Sequence, residues 1–217
     1  MNRASSTPAA APTAVDFDSR ARQWDTTQEF VERGRKLAKA ICARVALRTN
    51  MRALDVGCGT GLLSVPLAGD LGHITCIDTS PGMLEVLREK IAVQGLSNLT
   101  AEFHDLTTSD LSVGGFDLIM SSMTLHHIKD TGAILATFAA HLRAGGWLCL
   151  ADLDQEDGSF HGIDVDVHHG FEREALARLV HDAGFEQVHF DTVFVIRKAQ
   201  DGGPRDYPVF LLTARKG

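Results

Sequence analysis

Three glycines at alternate positions, Gly57, Gly59 and Gly61, close a short apolar run and open an apolar-spaced segment. The run is Ala53-Leu54-Asp55-Val56, and Leu62-Leu63-Ser64 follows the glycines. That order reads as a buried strand, a tight turn and then a helix, with Thr60 placed as a cap. A glycine in such a turn accepts a positive φ and lets a ligand approach the backbone closely. The last of the three lets the helix pack tightly on the strand.

Two classes of ligand use a turn of this kind. A dinucleotide needs G-x-G-x-x-G, with its pyrophosphate on the helix N-terminus. Here the third glycine comes one residue early, and Asp55 sits just before the turn. A carboxylate there repels a pyrophosphate and suits a ligand with positive charge and no phosphate. S-adenosylmethionine, which carries a sulfonium, an ammonium, a carboxylate and an adenosine, is such a ligand. The string Asp55-Val56-Gly57-Cys58-Gly59-Thr60-Gly61 resembles the first motif of the class I S-adenosylmethionine-dependent methyltransferases.

The rest of the chain alternates strand and helix patterns. Residues 1–15 are Ala, Ser, Thr and Pro with little else, which reads as a disordered tail rather than a secretion signal. A helix is expected over about 27–47, with Phe30, Leu37, Ile41 and Val45 near one face and its basic residues on a solvated face. Strands are expected near 52–56, 73–78, 99–104, 116–121 and 147–153, with helices near 60–69, 81–94 and 130–143 between them. Residues 154–170 form a polar insert, 171–183 a helix, and 186–197 and 207–215 two closing strands. Repeated strand–helix units imply a doubly wound, mostly parallel sheet with helices on both faces. Two final strands joined by a turn add an antiparallel member. The resemblance implies the same: a seven-stranded Rossmann-like methyltransferase sheet with an antiparallel last strand, in a single domain over 16–217.

In such sheets a ligand lies at the carboxyl ends of the strands. Strand one delivers Asp55, Gly57, Cys58 and Gly59 to that edge. Strand two ends in Asp78-Thr79, and an acid there can accept both hydroxyls of a ribose. By resemblance, Met83 packs on adenine, Asp105 accepts the adenine amino group, and the Leu106 backbone meets a ring nitrogen. Ser121 ends strand four and leads into Leu125-His126-His127, similar to a Leu-His-His segment of small-molecule methyltransferases that lies between cofactor and acceptor. The lead-in from Asp16 to Asp25, with Asp18, Ala21, Trp24 and Asp25, resembles a segment that folds over the site in the same group. Trp24 is placed to cover a sulfonium there.

Moving a methyl group in line from sulfur to a nucleophile asks chiefly for positioning. An alcohol or amine acceptor must also lose a proton, and His126 is the candidate base. The insert carries Asp152 and Asp154 at its start, then Glu156, Asp157, His161, Asp164, Asp166, His168 and His169. His161, His168 and His169 are expected to shape an acceptor pocket. A metal held by those three, with Asp152 or Asp154, is the competing arrangement; their spacing matches no standard zinc pattern, so no metal is expected.

Charge narrows the partners. Lys plus Arg total 21 against 28 for Asp plus Glu, a formal net charge of −7, which disfavours a nonspecific grip on nucleic acid. No apolar run approaches a membrane span. The cysteines, Cys42, Cys58, Cys76 and Cys149, show no paired spacing and read as free thiols of a reducing cytoplasm. The sequence thus points to a cytoplasmic S-adenosylmethionine-dependent methyltransferase with a small-molecule acceptor. An RNA or protein acceptor, a cofactor-binding scaffold without activity, and a fold that uses the cofactor without transferring methyl remain as rivals.

Overall fold

The computed structural model describes residues 16–162, 165–200 and 202–217. The expected tail over 1–15 and Asp164 of the insert lie outside the described residues. Seven strands form one sheet in the order β3-β2-β1-β4-β5-β7-β6. They are β1 (Arg52–Val56), β2 (His73–Asp78), β3 (Leu99–Phe103), β4 (Phe116–Ser122), β5 (Leu142–Leu153), β6 (Phe185–Lys198) and β7 (Arg205–Lys216). Every pairing from β3 through β5 is parallel, and β7 runs antiparallel between β5 and β6. The expected mostly parallel sheet with an antiparallel last strand is therefore present.

The apolar pattern of β1 explains why it sits at the centre. Ala53 joins a buried cluster on one face and Leu54 and Val56 a second cluster on the other, so both faces are covered by helices. The first cluster takes Leu37 and Ile41 from α2 (Gln28–Arg44), Leu67 from α3 (Ser64–Leu67), and Leu84 and Leu87 from α4 (Pro81–Gln94). The second takes Ile134, Leu135 and Phe138 from α5 (Thr131–His141), and Leu176 and Val180 from α6 (Arg173–Asp182). A four-residue helix, α1 (Ala21–Trp24), precedes them.

Local chemistry sets the helix ends. Ser80 caps α4 by accepting the Met83 N–H, Pro81 occupies the first turn, and Gly95 ends the helix at φ 66°. Glu172 caps α6 by accepting from the N–H groups of Glu174 and Ala175. The helix after the glycine turn is only four residues long, against the ten expected over 60–69. The glycine turn runs on through Gly61 and Leu62, and only the last part of the apolar stretch is helical. Conversely, β5 begins at Leu142, five residues before the expected start at Trp147, because Gly145 at φ 69° and Gly146 bend the strand without ending it.

The order of β1 and β4 places the functional edge. The chain leaves β1 towards β2 on one side, while β4 lies on the other, and the two crossovers diverge above that pair. The carboxyl ends of β1, β2, β3, β4 and β5 all open onto the resulting crevice. Phe138 is fully buried in the cluster that supports this edge. Phe138→Ala is expected to cost about 3–5 kcal/mol of stability. Urea unfolding read by far-UV circular dichroism, with m unchanged, checks this.

Candidate active site

The glycine turn makes its space by using each glycine differently. A Cβ on Gly57 would lie 2.3 Å from the Thr124 side chain, so this glycine lets the loop after β4 approach. One on Gly61 would lie 2.5 Å from Leu87, so here the absent side chain lets α4 pack. A Cβ on Gly59, at φ 53°, would meet no atom within 4 Å. Gly59 therefore faces open space at the mouth of the crevice.

That space is a cavity of about 670 Å³. Asp55, Gly57, Cys58 and Gly59 line it from β1, Asp78, Thr79 and Met83 from β2 and α4, and Asp105 and Leu106 from the β3 end. Asp78 Oδ2 accepts the Gly59 N–H at 2.7 Å and Oδ1 accepts the Ser80 N–H at 2.8 Å. These bonds fix the carboxylate against the turn. Burial raises the Asp78 pKa, partly offset by the backbone donors, Gly59 first. Ser121, expected among the cofactor residues, does not reach the cavity. Its hydroxyl is buried and donates to the Val56 carbonyl at 2.7 Å, locking β4 to β1, and Ser122 takes the lining position.

The N-terminal segment closes one wall. Asp18 Oδ1 accepts from the Ser80 hydroxyl at 2.6 Å and the Gly82 N–H at 2.8 Å, and Asp25 Oδ1 accepts from the Thr60 hydroxyl at 2.6 Å. Trp24, held between these anchors, lines the cavity and packs on Phe30, with ring centroids 4.8 Å apart. Phe17 sits edge-on to His127 at 5.4 Å, so the segment spans both ends of the cavity.

Histidines form the opposite end. Asp152, at the end of β5 and 0% exposed, holds His126, which is 1% exposed. The His126 ring Nδ1 lies 2.7 Å from Asp152 Oδ1, and the His126 backbone N–H donates to Oδ2 at 3.1 Å. The carboxylate accepts at Nδ1–H, which leaves the Nε2 lone pair free to face the cavity. His161 Nε2 lies 3.0 Å from it. His127 stacks beside His126 with ring centroids 4.1 Å apart. Burial, then the charge of His126, lowers the His127 pKa to about 3 and the His161 pKa to about 4. Both are neutral at pH 7.

Of the three insert histidines expected in the acceptor pocket, only His161 lines the cavity. His168 donates from Nε2 to the Ile128 and Lys129 carbonyls at 3.0 and 3.1 Å, tying the insert to the loop after β4. The His169 ring packs over Gly158, where a Cβ would stand 2.8 Å from Cε1. His168 lines instead a smaller cavity of about 170 Å³ that it shares with His126 and His127, and beyond His169 the chain turns back at Gly170, φ 68°, against the Asp154 carbonyl.

Three cations complete the lining: Arg20, Arg33 and Lys198. The basic residues of α2 read in sequence as a solvated face, yet the Arg33 side chain is 18% exposed. It pairs with Glu29 one turn away and points along the cavity wall. Lys198 comes from β6, far along the chain, and donates to the Phe160 carbonyl at 2.7 Å. No local sequence signal marks it; burial, then Arg33 and Arg20, lower its pKa.

A family model described as "Methyltransferase domain" matches residues 53–146, from β1 into β5. The chain carries a methyltransferase domain over this stretch. An uncharacterised methyltransferase of Schizosaccharomyces pombe is 31% identical over 169 residues, 70% of this chain and 58% of that protein. A ubiquinone biosynthesis O-methyltransferase of Xanthomonas campestris is 35% identical over 124 residues, 55% of this chain and 50% of that protein. The chain thus spans between half and three-fifths of the length of these relatives. Among solved structures, a chain of the complex between the Haloferax volcanii Trm112 methyltransferase activator and a methyltransferase superposes with a TM-score of 0.72 at 19% identity, covering 94% of this chain and 98% of that one. Within this methyltransferase fold, among the described residues, no helix is long and apolar enough to cross a membrane.

Asp55 gives this site a pH signature. It is fully buried, accepts the Ser64 hydroxyl, and burial raises its pKa from 3.8 to about 7, with the Asp78 charge adding to the rise. A raised carboxyl pKa means the folded chain keeps a proton that the unfolded chain has released. The associated stability is full below about pH 3.8 and is lost as pH rises through about 7. Asp55→Asn is therefore expected to gain at least about 1 kcal/mol on the wild type between pH 5 and pH 8, a fraction of the ~1.4 kcal/mol per unit that linkage allows. Urea unfolding of both proteins at the two pH values, without ligand, measures it; parallel behaviour would show Asp55 ionised throughout.

Proposed function

We propose that this chain transfers a methyl group from S-adenosylmethionine to a small-molecule acceptor. The observation that carries the reading is that one cavity of about 670 Å³ is lined at one end by the glycine turn and Asp78 and at the other by the histidines. That volume lies within the range of sites that enclose a cofactor-sized ligand. The open face of Gly59 and the carboxylates of Asp78 and Asp105, with the buried carboxyl of Asp55 behind the turn, fit a ligand with hydroxyls, an amino group and positive charge. They oppose a pyrophosphate.

In this reading Asp78 accepts the ribose hydroxyls, Asp105 and the Leu106 backbone take the adenine edge, and Met83 and Thr79 pack the base. Cys58 and the N–H groups of the turn border the ligand's amino-acid portion, with Arg20 or Arg33 available for its carboxylate. Trp24 covers the reacting centre and excludes water. The bound cofactor supplies the electrophilic methyl group. His126, oriented by Asp152, takes the proton of an acceptor hydroxyl at Nε2. Holding both reactants in one cavity supplies most of the rate. The relative named as an O-methyltransferase supports an oxygen acceptor. The net charge of −7 and the inward placement of the three cations support a small acceptor over RNA or protein.

Calorimetry with S-adenosylmethionine is expected to show one site in the wild type. Asp78→Ala should weaken it by at least tenfold, since a charge-assisted bond is worth about 1.5–3 kcal/mol. A wild type that does not bind leaves only a scaffold. Methyl-labelled cofactor, offered with small phenols and hydroxy acids, bulk RNA and bulk protein in parallel, reads the acceptor class. Label in the macromolecules alone would replace the small-molecule reading.

Removing residues 1–15 is expected to leave turnover intact, while removal through Asp25 abolishes it by taking away the Asp18 and Asp25 anchors and Trp24. Equal turnover in the two truncated proteins would reduce the segment to a surface strap.

A further inference from the structure

The three histidines at the acceptor end were not brought together by any spacing in the sequence. His126 and His127 follow β4, and His161 lies 35 positions on, in the insert. In the fold, one ring nitrogen from each of the three lies within 4.8 Å of the others. We propose that His126, His127 and His161 form a binding site for a divalent first-row transition metal, zinc being the expected ion. The ion's open position would take the oxygen of an anionic, chelating hydroxy acceptor.

Four observations support the site. First, two nitrogens bound to one ion at ~2.0–2.1 Å in a tetrahedron stand about 3.3 Å apart. His126 Nε2 and His161 Nε2 already stand 3.0 Å apart. The 4.8 Å spread closes by small movements of His127 and His161, which are only half-buried. Second, two imidazole nitrogens facing each other share one proton between two lone pairs. The arrangement leaves lone pairs converging on one point, and the His127 ring nitrogens have no hydrogen-bond partner among the described residues. Third, Asp152 supplies what a metal-bound imidazole needs on its far side. It is completely buried and accepts from His126 Nδ1, from the His126 backbone N–H and from the Leu153 N–H at 2.7 Å. A carboxylate behind a histidine fixes the tautomer and raises ligand basicity. Fourth, three neutral nitrogen ligands with a fourth side open suit zinc, iron or copper rather than magnesium or calcium. His168 also borders His126 and His127 but spends its Nε2–H on the Ile128 and Lys129 carbonyls, His169 packs over Gly158, and neither takes part.

The site deepens the proposed function, and the assignment of an acceptor class rests on it. With the ion bound, His126 Nε2 is a ligand and no longer a base. Binding moves the His161 proton from Nε2 to Nδ1 through solvent. The acceptor O–H bond breaks as its oxygen binds the ion, the proton leaves to solvent, and no oxidation state changes. The open position faces the same cavity as Lys198 and Arg33. An ion with neutral ligands, next to those cations, calls for a negatively charged acceptor, such as a hydroxyl beside a carboxylate or carbonyl.

The test uses the whole chain, stripped with chelator and free of cofactor. Titration with Co²⁺ is expected to give visible d–d bands that saturate at one equivalent, and Zn²⁺ should displace them. His127→Ala and His161→Ala are each expected to weaken Zn²⁺ by at least about 100-fold, and Asp152→Asn by 10–100-fold, as loss of a carboxylate behind a ligand typically does. His168→Ala and His169→Ala should keep Zn²⁺ affinity within threefold. Circular dichroism and S-adenosylmethionine affinity, measured on every variant, separate loss of the site from loss of the fold. Salicylate, added as a chelating probe, is expected to shift the Co²⁺ bands. Absence of saturable binding, or full affinity in the His127→Ala/His161→Ala protein, overturns the metal site while cofactor binding leaves the methyltransferase reading standing. Bands that salicylate leaves unmoved overturn the acceptor class. Metal binding in a protein that takes no S-adenosylmethionine supports the site and removes the methyltransferase reading alone.

Discussion

Everything at the functional edge depends on the crossovers diverging above β1 and β4. Parallel strands need long connections, and right-handed crossovers starting from the middle of a sheet must leave it on opposite sides. No helix can then cover the carboxyl ends of that central pair. The gap is filled by loops, and each loop brings the residue that its strand happens to end on. β1 brings the glycine turn, β2 Asp78, β3 Asp105, β4 the paired histidines and β5 Asp152. The crevice is therefore a consequence of topology, and its chemistry a consequence of five strand ends.

Polar burial is concentrated at that edge. Asp55, Asp78, Asp152 and His126 all lie in or beside the cavity wall, and the buried ones are hydrogen-bonded. An unpaired buried carboxylate is costly, so each is matched to donors: Ser64 for Asp55, two backbone N–H groups for Asp78, and His126 with the Leu153 N–H for Asp152. The apolar clusters on the two faces of the sheet hold these groups in place. Where donors are few, as at Asp55, the group responds by keeping its proton.

The fold was largely legible in the chain. Apolar runs locate the central strands, because strands covered on both faces must be apolar throughout, and the edge strands β3 and β6 show instead as mixed runs between turn residues. The boundaries that moved did so for local reasons. The glycine turn consumed most of the expected helix after it, and Gly145-Gly146 bent β5 instead of ending it. The glycine-turn end of the cavity was legible for the same reason: the Asp55–Gly61 string and Asp78 are each fixed by their distance from a strand end. Ser121 failed because period-two alternation turned its hydroxyl into β1, and Ser122 faced the cavity instead.

The sequence by itself determined the strand and helix order, the parallel sheet, the glycine turn and the acids at the strand ends. These depend on local pattern and on spacings of a few residues, which backbone geometry translates directly into place. Only the tertiary structure decided the histidine end of the cavity. His161 meets His126 across 35 positions, Asp152 stands behind that pair from another strand, and Lys198 arrives from β6. His168 and His169, from the same insert, are committed elsewhere, His168 to the Ile128 and Lys129 carbonyls and His169 to packing over Gly158. A long polar insert has no periodicity to constrain it. Its path is set by the hydrogen bonds and packing it finds after the sheet has formed, such as Arg173 on Asp154 and Ser159 on Tyr207.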